Sequence, residues 1–117
     1  MDLKKAIVYI IDKEGIEFIS NLRFVNYLSD LQAFDLPSIK RIFLTLIDNG
    51  YSDRLKKSLP NKDCELQFNT VENLLIQNEG FQPNLVSFAL ESLLYAAQET
   101  GNTPIFTHTE LKSKVVP

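Results

Sequence analysis

The side chains that carry nucleophilic chemistry are few in this chain. The 117 residues include one cysteine, Cys64, and one histidine, His108. A cysteine becomes a catalytic nucleophile when a histidine within hydrogen-bonding distance takes up its proton. No pattern around either residue predicts that the two meet. We therefore expect Cys64 to be a small, partly buried residue and His108 to lie on the surface near a helix N-terminus.

Carboxylates are the remaining groups with catalytic potential. Glu14 and Glu17 flank one predicted helix end, and Asp48 and Asp53 flank another. Paired carboxylates serve as acid and base when burial separates their pKa values, but these four lie in polar stretches. The chain also lacks glycine-rich phosphate loops, serine nucleophile motifs and the oxygen-ligand spacing of a calcium loop. We predict no enzyme activity, no cofactor, no metal and no small-molecule substrate.

A basic segment over residues 52–62 raises the alternative of contact with nucleic-acid phosphates. It contains one arginine and three lysines, and it follows a predicted helix and a turn at Gly50. This order is that of a helix-turn-helix. The whole chain is nevertheless acidic, with a net charge of −3 and a pI near 5.1, whereas nucleic-acid binders usually carry a basic excess. A small nucleic-acid-binding regulator is therefore the alternative function rather than the preferred one.

Aromatic residues at the margins of predicted helix faces favour a protein partner. Phe88 and Tyr95 are seven positions apart, so they share one side of the longest predicted helix. Tyr51 lies at a similar margin, and Arg54 and Lys57 follow it. Aromatic and arginine side chains are enriched in protein interfaces. We predict that these five residues contact another protein or a second copy of the chain, the alternative being that the aromatic rings complete the core.

Charge is distributed unevenly along the chain. Residues 40–62 carry six basic and two acidic side chains, and residues 63–101 carry six acidic and no basic ones. Two solvated faces that partly neutralise each other are one interpretation. The other is a bipolar surface that steers a charged protein or a second copy arranged head to tail.

Hydrophobic periodicity predicts that helices position all of these residues. The first expected helix ends at Gly15, and the second covers residues 22–31 with Leu22 on its buried face. The third begins at residue 37 with Asp35 as its cap, and the fourth covers residues 53–59 with Ser52 as its cap. The fifth runs from Asn69 to Gly80 with a capping box to Glu72, and the sixth covers residues 83–99. Residues 60–68 are expected to form a polar loop.

Three glycines mark predicted helix ends. Gly15, Gly50 and Gly80 each follow aliphatic and polar residues and precede an apolar one. This is the pattern of a Schellman cap, in which glycine adopts the left-handed conformation without a steric cost.

The location and domain organisation follow from simpler observations. A single cysteine forms no internal disulfide, which fits a reducing compartment, and the apolar run at 6–11 is too short for a signal peptide or a membrane span. We expect a cytoplasmic protein without membrane contact. Residues 1–101 are expected to form one domain, and residues 102–117 a polar tail or linker that holds at most one short helix.

Several short stretches within residues 3–97 resemble a small helical domain of unknown function from Bacteroidetes-type bacterial proteins. They are Arg23-Phe24-Val25-Asn26-Tyr27-Leu28-Ser29-Asp30, Ala33-Phe34, Ile39-Lys40-Arg41-Ile42, Gly50-Tyr51, Gly80-Phe81 and Val86-Ser87-Phe88. The resemblance implies an all-α fold and an accessory role, alone or beside other domains of a longer bacterial chain. It supplies no catalytic or binding residue.

Together these patterns predict an all-α protein. We expect a compact orthogonal bundle of five to six short helices, with the apolar helix 83–99 at its centre. The preferred function is a non-catalytic protein–protein interaction or adaptor module.

Overall fold

Helices account for most of the chain in the computed structural model, which describes residues 1–103. Six α-helices, one 3₁₀ helix and no strand occur within this range. They are α1 (Leu3–Glu14), the 3₁₀ helix (Ile16–Ser20), α2 (Leu22–Asp30), α3 (Pro37–Asp48), α4 (Tyr51–Ser58), α5 (Cys64–Gln77) and α6 (Pro83–Glu99). The predicted all-α bundle is confirmed. Apart from its first two residues, the predicted tail 102–117 lies outside the described residues, as do its short helix and His108.

The central element is α6, which has the bounds that its apolar run predicts. It contacts α1, α3 and α5, so most of its circumference is covered. Its fully or nearly fully buried residues are Val86, Ala89, Leu90, Ser92, Leu93, Ala96 and Ala97. The hydroxyl of Ser92 donates a hydrogen bond to the carbonyl of Phe88 at 2.7 Å. This bond satisfies the one polar side chain that α6 buries.

The core on which α6 packs is aliphatic with a small aromatic centre. The buried stripe of α1 repeats at intervals of three and four residues, as an amphipathic helix requires. It consists of Leu3, Ala6, Ile7, Ile10 and Ile11. The ring of Phe43 in α3 meets Phe24 at 6.0 Å and Phe34 at 5.8 Å between centroids. The Phe24–Phe43 pair joins α2 to α3 in the edge-to-face geometry that aromatic pairs prefer.

Positive φ angles occur at all three predicted glycine stops, with values of 89° at Gly15, 76° at Gly50 and 76° at Gly80. Gly50 is fully left-handed, with ψ at 8°, and it also serves as the residue before α4. Gly50 therefore follows the end of α3 and is also the N-cap residue of α4. Gly15 differs, because its ψ of 162° is extended.

The paired hydrogen bonds of a Schellman motif form at Gln32 and Gly101, and not at the predicted positions Gly15, Gly50 and Gly80. After α2, Ala33 donates to the carbonyl of Leu28 and Gln32 to that of Ser29, both at 3.0 Å. After α6, the equivalent bonds run from the amides of residues 102 and 101 to the carbonyls of residues 97 and 98, at 2.8 and 3.1 Å. Gln32 adopts a φ of 54° without the freedom of glycine.

The structure corrects several predicted details of the first four helices. Leu36 rather than Asp35 precedes α3, and no side chain caps that helix. Ser52 is buried within α4, which begins one residue earlier, at Tyr51. Leu22 is 52% exposed, because it begins α2 beside its cap Asn21 rather than within its buried stripe.

The predicted loop 60–68 is wrong in its second half, because α5 begins at Cys64. Cys64 and Phe68 are buried at helical spacing with Val71, and so extend the apolar stripe towards the N-terminus. The predicted capping box at Glu72 is also wrong. Glu72 lies within α5 and accepts a hydrogen bond from the hydroxyl of Ser87 in α6 at 2.9 Å.

Candidate interaction surface

The three α4 residues predicted to contact a partner differ in their environments. Tyr51 is half-buried and packs against the core. Arg54 is exposed, and its Nε donates to Oε1 of Gln67 in α5 at 3.0 Å. Lys57 is exposed, and its Nζ lies 2.9 Å from Oδ2 of Asp53. Arg54 and Lys57 are thus accessible at the surface, while Tyr51 is largely part of the bundle.

A third cation of α4, Lys56, is held between two carboxylates. Its Nζ lies 2.6 Å from Oε2 of Glu17 and 3.1 Å from Oδ1 of Asp53. The hydrogen bond that Lys56 donates to Glu17, and then the one that it donates to Asp53, raise the pKa of Lys56. Hydrogen bonds from Lys57 and Lys56 lower the pKa of Asp53. Both groups are therefore held in their charged forms.

These ion pairs bear on the nucleic-acid alternative. Lys56 and Lys57 of the basic segment are each paired with a carboxylate. Nearby negative charge weakens the potential that a phosphate backbone would meet. The helix-turn-helix function remains an untested prediction.

The two α6 residues predicted for the surface lie on the outer side of that helix. Phe88 is 38% exposed and Tyr95 is 40% exposed. The Nζ of Lys4 in α1 lies over the Tyr95 ring, 5.4 Å from its centroid, which is within the range of a cation–π interaction. Phe88 and Tyr95 thus present large apolar surfaces on the exposed side of α6, which also carries Glu91 and Glu99.

The predicted residues form two groups rather than one site. The α4 group belongs to a helix that packs mainly on α3, α5 and the 3₁₀ helix, whereas α6 packs mainly on α1, α3 and α5. Lys57 lines a cleft that also contains Ile16 and Asn102. Tyr95 lines a different cleft, against α1.

The cleft between α1 and α6, here named the α1–α6 groove, has a volume of about 330 Å³. Its lining residues are Lys5, Val8, Tyr9, Asp12, Tyr95 and Glu99. Tyr9 is 44% exposed, so the groove has two accessible tyrosines. Sequence reasoning missed Tyr9 as a neighbour of Tyr95, because that proximity depends on how two distant helices pack.

A cluster on α1 and α2 adjoins the α1–α6 groove through Tyr9. Its ring meets that of Tyr27 edge-on at 6.3 Å between centroids. The Nζ of Lys13 lies 3.3 Å from the Tyr27 hydroxyl and within 6 Å of both ring centroids. The hydrogen bond to Tyr27 raises the pKa of Lys13. Tyr9, which lines the groove, is thus in contact with both Tyr27 and Lys13.

The side chains that could act as nucleophiles, acids or bases do not form one cluster. Cys64 is 2% exposed, and burial, followed by the charge of Glu65, raises the pKa of its thiol. Glu17 and Asp53 both pair with Lys56. Over residues 1–103, no three histidine, cysteine or acidic side chains come together as metal ligands.

Within the same range, no helix combines the length and the apolar character needed to cross a membrane.

Comparison with known proteins found no matching family model, curated protein or solved structure. The resemblance to a Bacteroidetes-type domain remains a prediction.

Proposed function

We propose that the protein is a non-catalytic interaction or adaptor module that binds a protein partner through the outer face of α6. The observation that carries this proposal is the exposure of Phe88 and Tyr95 on the central helix. Large aromatic side chains dominate the energetics of protein interfaces when they fill pockets on a partner. Such residues are the most effective anchors that this surface offers.

The spacing of the two rings suggests the form of the partner. Seven helical residues span about 10.5 Å along the axis, so two separate pockets or the side of one helix would accommodate them. Glu91, which is exposed, lies between them in the sequence. All charged residues of α5 and α6 are acidic. A partner with apolar pockets and a basic rim would therefore be complementary to this face.

A cytoplasmic location is part of the proposal. It is supported by the free, buried thiol of Cys64, which is typical of proteins from reducing compartments.

Site-specific photo-cross-linking tests the proposal. A photoreactive phenylalanine analogue would be placed at Phe88 or at Tyr95 in cells that express the chain. The matched control is the same analogue at Leu66, which is 61% exposed on α5. We expect one discrete cross-linked protein from positions 88 and 95 and none of it from position 66. Equal or absent cross-linking at all three positions would refute the proposal.

A further inference from the structure

We propose that the α1–α6 groove binds a second copy of the same chain, in a two-fold arrangement that pairs the basic end of each groove with the acidic end of the other. This inference rests on the proposed interaction function and names the partner for one part of the surface. It follows from the order of charges along the groove, from the absence of an ion pair to these charges within residues 1–103 and from the two exposed tyrosines between them.

The two helices that form the groove run in the same direction. Near the start of α1, Lys4 lies over the ring of Tyr95. Just after the end of α1, Ile16 shares a cleft with Gly101 and Asn102, which follow α6. The start of α1 therefore lies beside residue 95 of α6, and the segment after α1 lies beside the segment after α6, so the two helices point the same way.

Shared direction gives the groove two different ends. Lys5 lies at the end where α1 begins, and Lys4 lies over the Tyr95 ring at the same end. Asp12 and Glu99 lie at the end where both helices finish. Lys5 and Asp12 are seven residues apart, or about 10.5 Å along the helix. Val8 and the two tyrosines occupy the interval between the charges.

The charged side chains at both ends of the groove are accessible to a partner. In the described part of the chain, Lys5, Asp12 and Glu99 form no ion pair with another side chain, and all three are exposed. Lys56 and Lys57 on α4 differ, because each forms an ion pair with a carboxylate of its own chain.

A groove with one basic and one acidic end is complementary to itself. A two-fold axis through its centre turns the second copy end for end, so Lys5 of each copy meets Asp12 and Glu99 of the other. The same operation brings Tyr9 and Tyr95 of both copies together at the middle, where ring pairs add to apolar burial. A groove of single sign would instead repel its copy.

The size of the groove sets the expected strength. Stable interfaces bury about 800 Å² on each partner, and six lining residues provide less than that. We therefore expect a weak dimer whose population rises with concentration and falls with added salt, since exposed charges are screened.

Charge reversal provides the test, with sedimentation equilibrium over a concentration series as the measurement. Lys5→Glu makes all three charged lining residues acidic, and the double variant Asp12→Lys/Glu99→Lys makes all three basic. We expect the unaltered chain to dimerise and each variant alone to lose at least tenfold in dimer affinity. An equimolar mixture of the two variants should recover dimers at least as strong as the original ones. Arg41→Glu on α3, also exposed, is the control and should leave dimerisation unchanged.

Three results would overturn the inference. They are a chain that stays monomeric at every concentration, a Lys5→Glu variant that dimerises as well as the original, and a mixture that recovers nothing. A monomer that still cross-links a different protein from Phe88 would overturn this inference and leave the proposed function intact. A groove-dependent dimer without any cross-linked foreign protein would support this inference and refute the adaptor role.

Discussion

The Nζ atom of Lys56 lies 2.6 Å from Oε2 of Glu17, a contact that joins α4 to the 3₁₀ helix across 39 positions of sequence. The lysine side chain is 17% exposed and that of Glu17 is 77% exposed. The aliphatic part of Lys56 is therefore covered while its charge reaches the surface. This pair, together with Asp53, fixes the segment that follows α1 against the second half of the bundle.

The ion pairs of Lys56 predict a specific pH dependence of stability. The pKa of Asp53 is lowered, so its contribution is complete above the ordinary value of about 4 and is lost as the pH falls through the lowered value. The pKa of Lys56 is raised, so its contribution is complete below about 10.4 and is lost as the pH rises through the raised value. The variant Lys56→Met should flatten the alkaline limb of the curve of urea midpoint against pH. It should keep most of the acid limb, because the hydrogen bond from Lys57, the larger cause of the lowered pKa of Asp53, remains.

The matched control for this experiment is Lys40→Met on α3, which should keep the original pH profile. If Lys56→Met and the unaltered chain gave parallel profiles at alkaline pH, the ion pairs of Lys56 would have no energetic role.

The central position of α6 predicts a large cost for truncating its buried leucines. Leu90 and Leu93 are 4% and 2% exposed. Substitution of either by alanine should lower the free energy of unfolding by about 2–5 kcal/mol, because apolar contacts are lost and a cavity remains. Urea denaturation monitored by circular dichroism measures this change. Glu91→Ala, between them on the exposed side, should change stability by less than about 0.5 kcal/mol, and a similar small effect at Leu93 would refute the central placement.

The left-handed conformation of Gly50 predicts that alanine is destabilising there. A Cβ atom at this position would have no neighbour within 4 Å, so the cost arises from φ alone. Gly50→Ala should lower the free energy of unfolding by about 1 kcal/mol or more. Asn49 has an ordinary φ of −93°, and Asn49→Ala should be close to neutral. Equal effects of the two substitutions on the thermal midpoint would contradict the conformational explanation.

The positive φ of Gln32 predicts a stabilising substitution. Gln32→Gly removes the steric cost of the left-handed conformation, and the gain exceeds the added entropy of the unfolded chain. We expect an increase of about 0.5–1 kcal/mol in the free energy of unfolding. The same change at Gln77, within the last turn of α5, should instead be destabilising. A loss of stability at both positions would show that the Schellman motif after α2 carries no strain.

The burial of Cys64 predicts a slow reaction of its thiol. Burial and the raised pKa both reduce the thiolate that a disulfide reagent attacks. Reaction with an aromatic disulfide, followed by absorbance, should be far slower for the native chain than for the unfolded one. Its rate should rise steeply with urea, in step with unfolding. A rapid reaction without denaturant would place the thiol at the surface.

The sequence alone determined the helical class and most helix faces, because apolar residues at intervals of three and four residues specify a buried stripe without reference to other elements. The bounds of α6 followed from Pro83 and the apolar run behind it. The positive φ at Gly15, Gly50 and Gly80 followed from glycine chemistry, but the paired hydrogen bonds of the predicted Schellman caps form at none of the three. The position of Phe88 and Tyr95 at the edge of a polar arc was compatible with exposure and with completion of the core, and only the packed structure shows that the two rings are 38% and 40% exposed.

Tertiary packing decided the bounds of the helices where the sequence signals were weak. The polar residues before Cys64 suggested a loop, but contacts that bury Cys64 and Phe68 extend α5 by more than a turn. Ser52 has the chemistry of a cap, yet Gly50 joins α3 to α4 so closely that Ser52 is enclosed. Local preferences of this kind are small beside the burial of apolar side chains.

The candidate surfaces depended most on the tertiary structure. The pairing of Lys56 with Glu17, and the meeting of Tyr9 with Tyr95 in one groove, each join residues that are far apart in the chain. Periodicity fixes which side of a helix is buried, but it contains no information about which helix lies beside it. That choice depends on how all six apolar stripes are covered at once, and only the folded chain settles it.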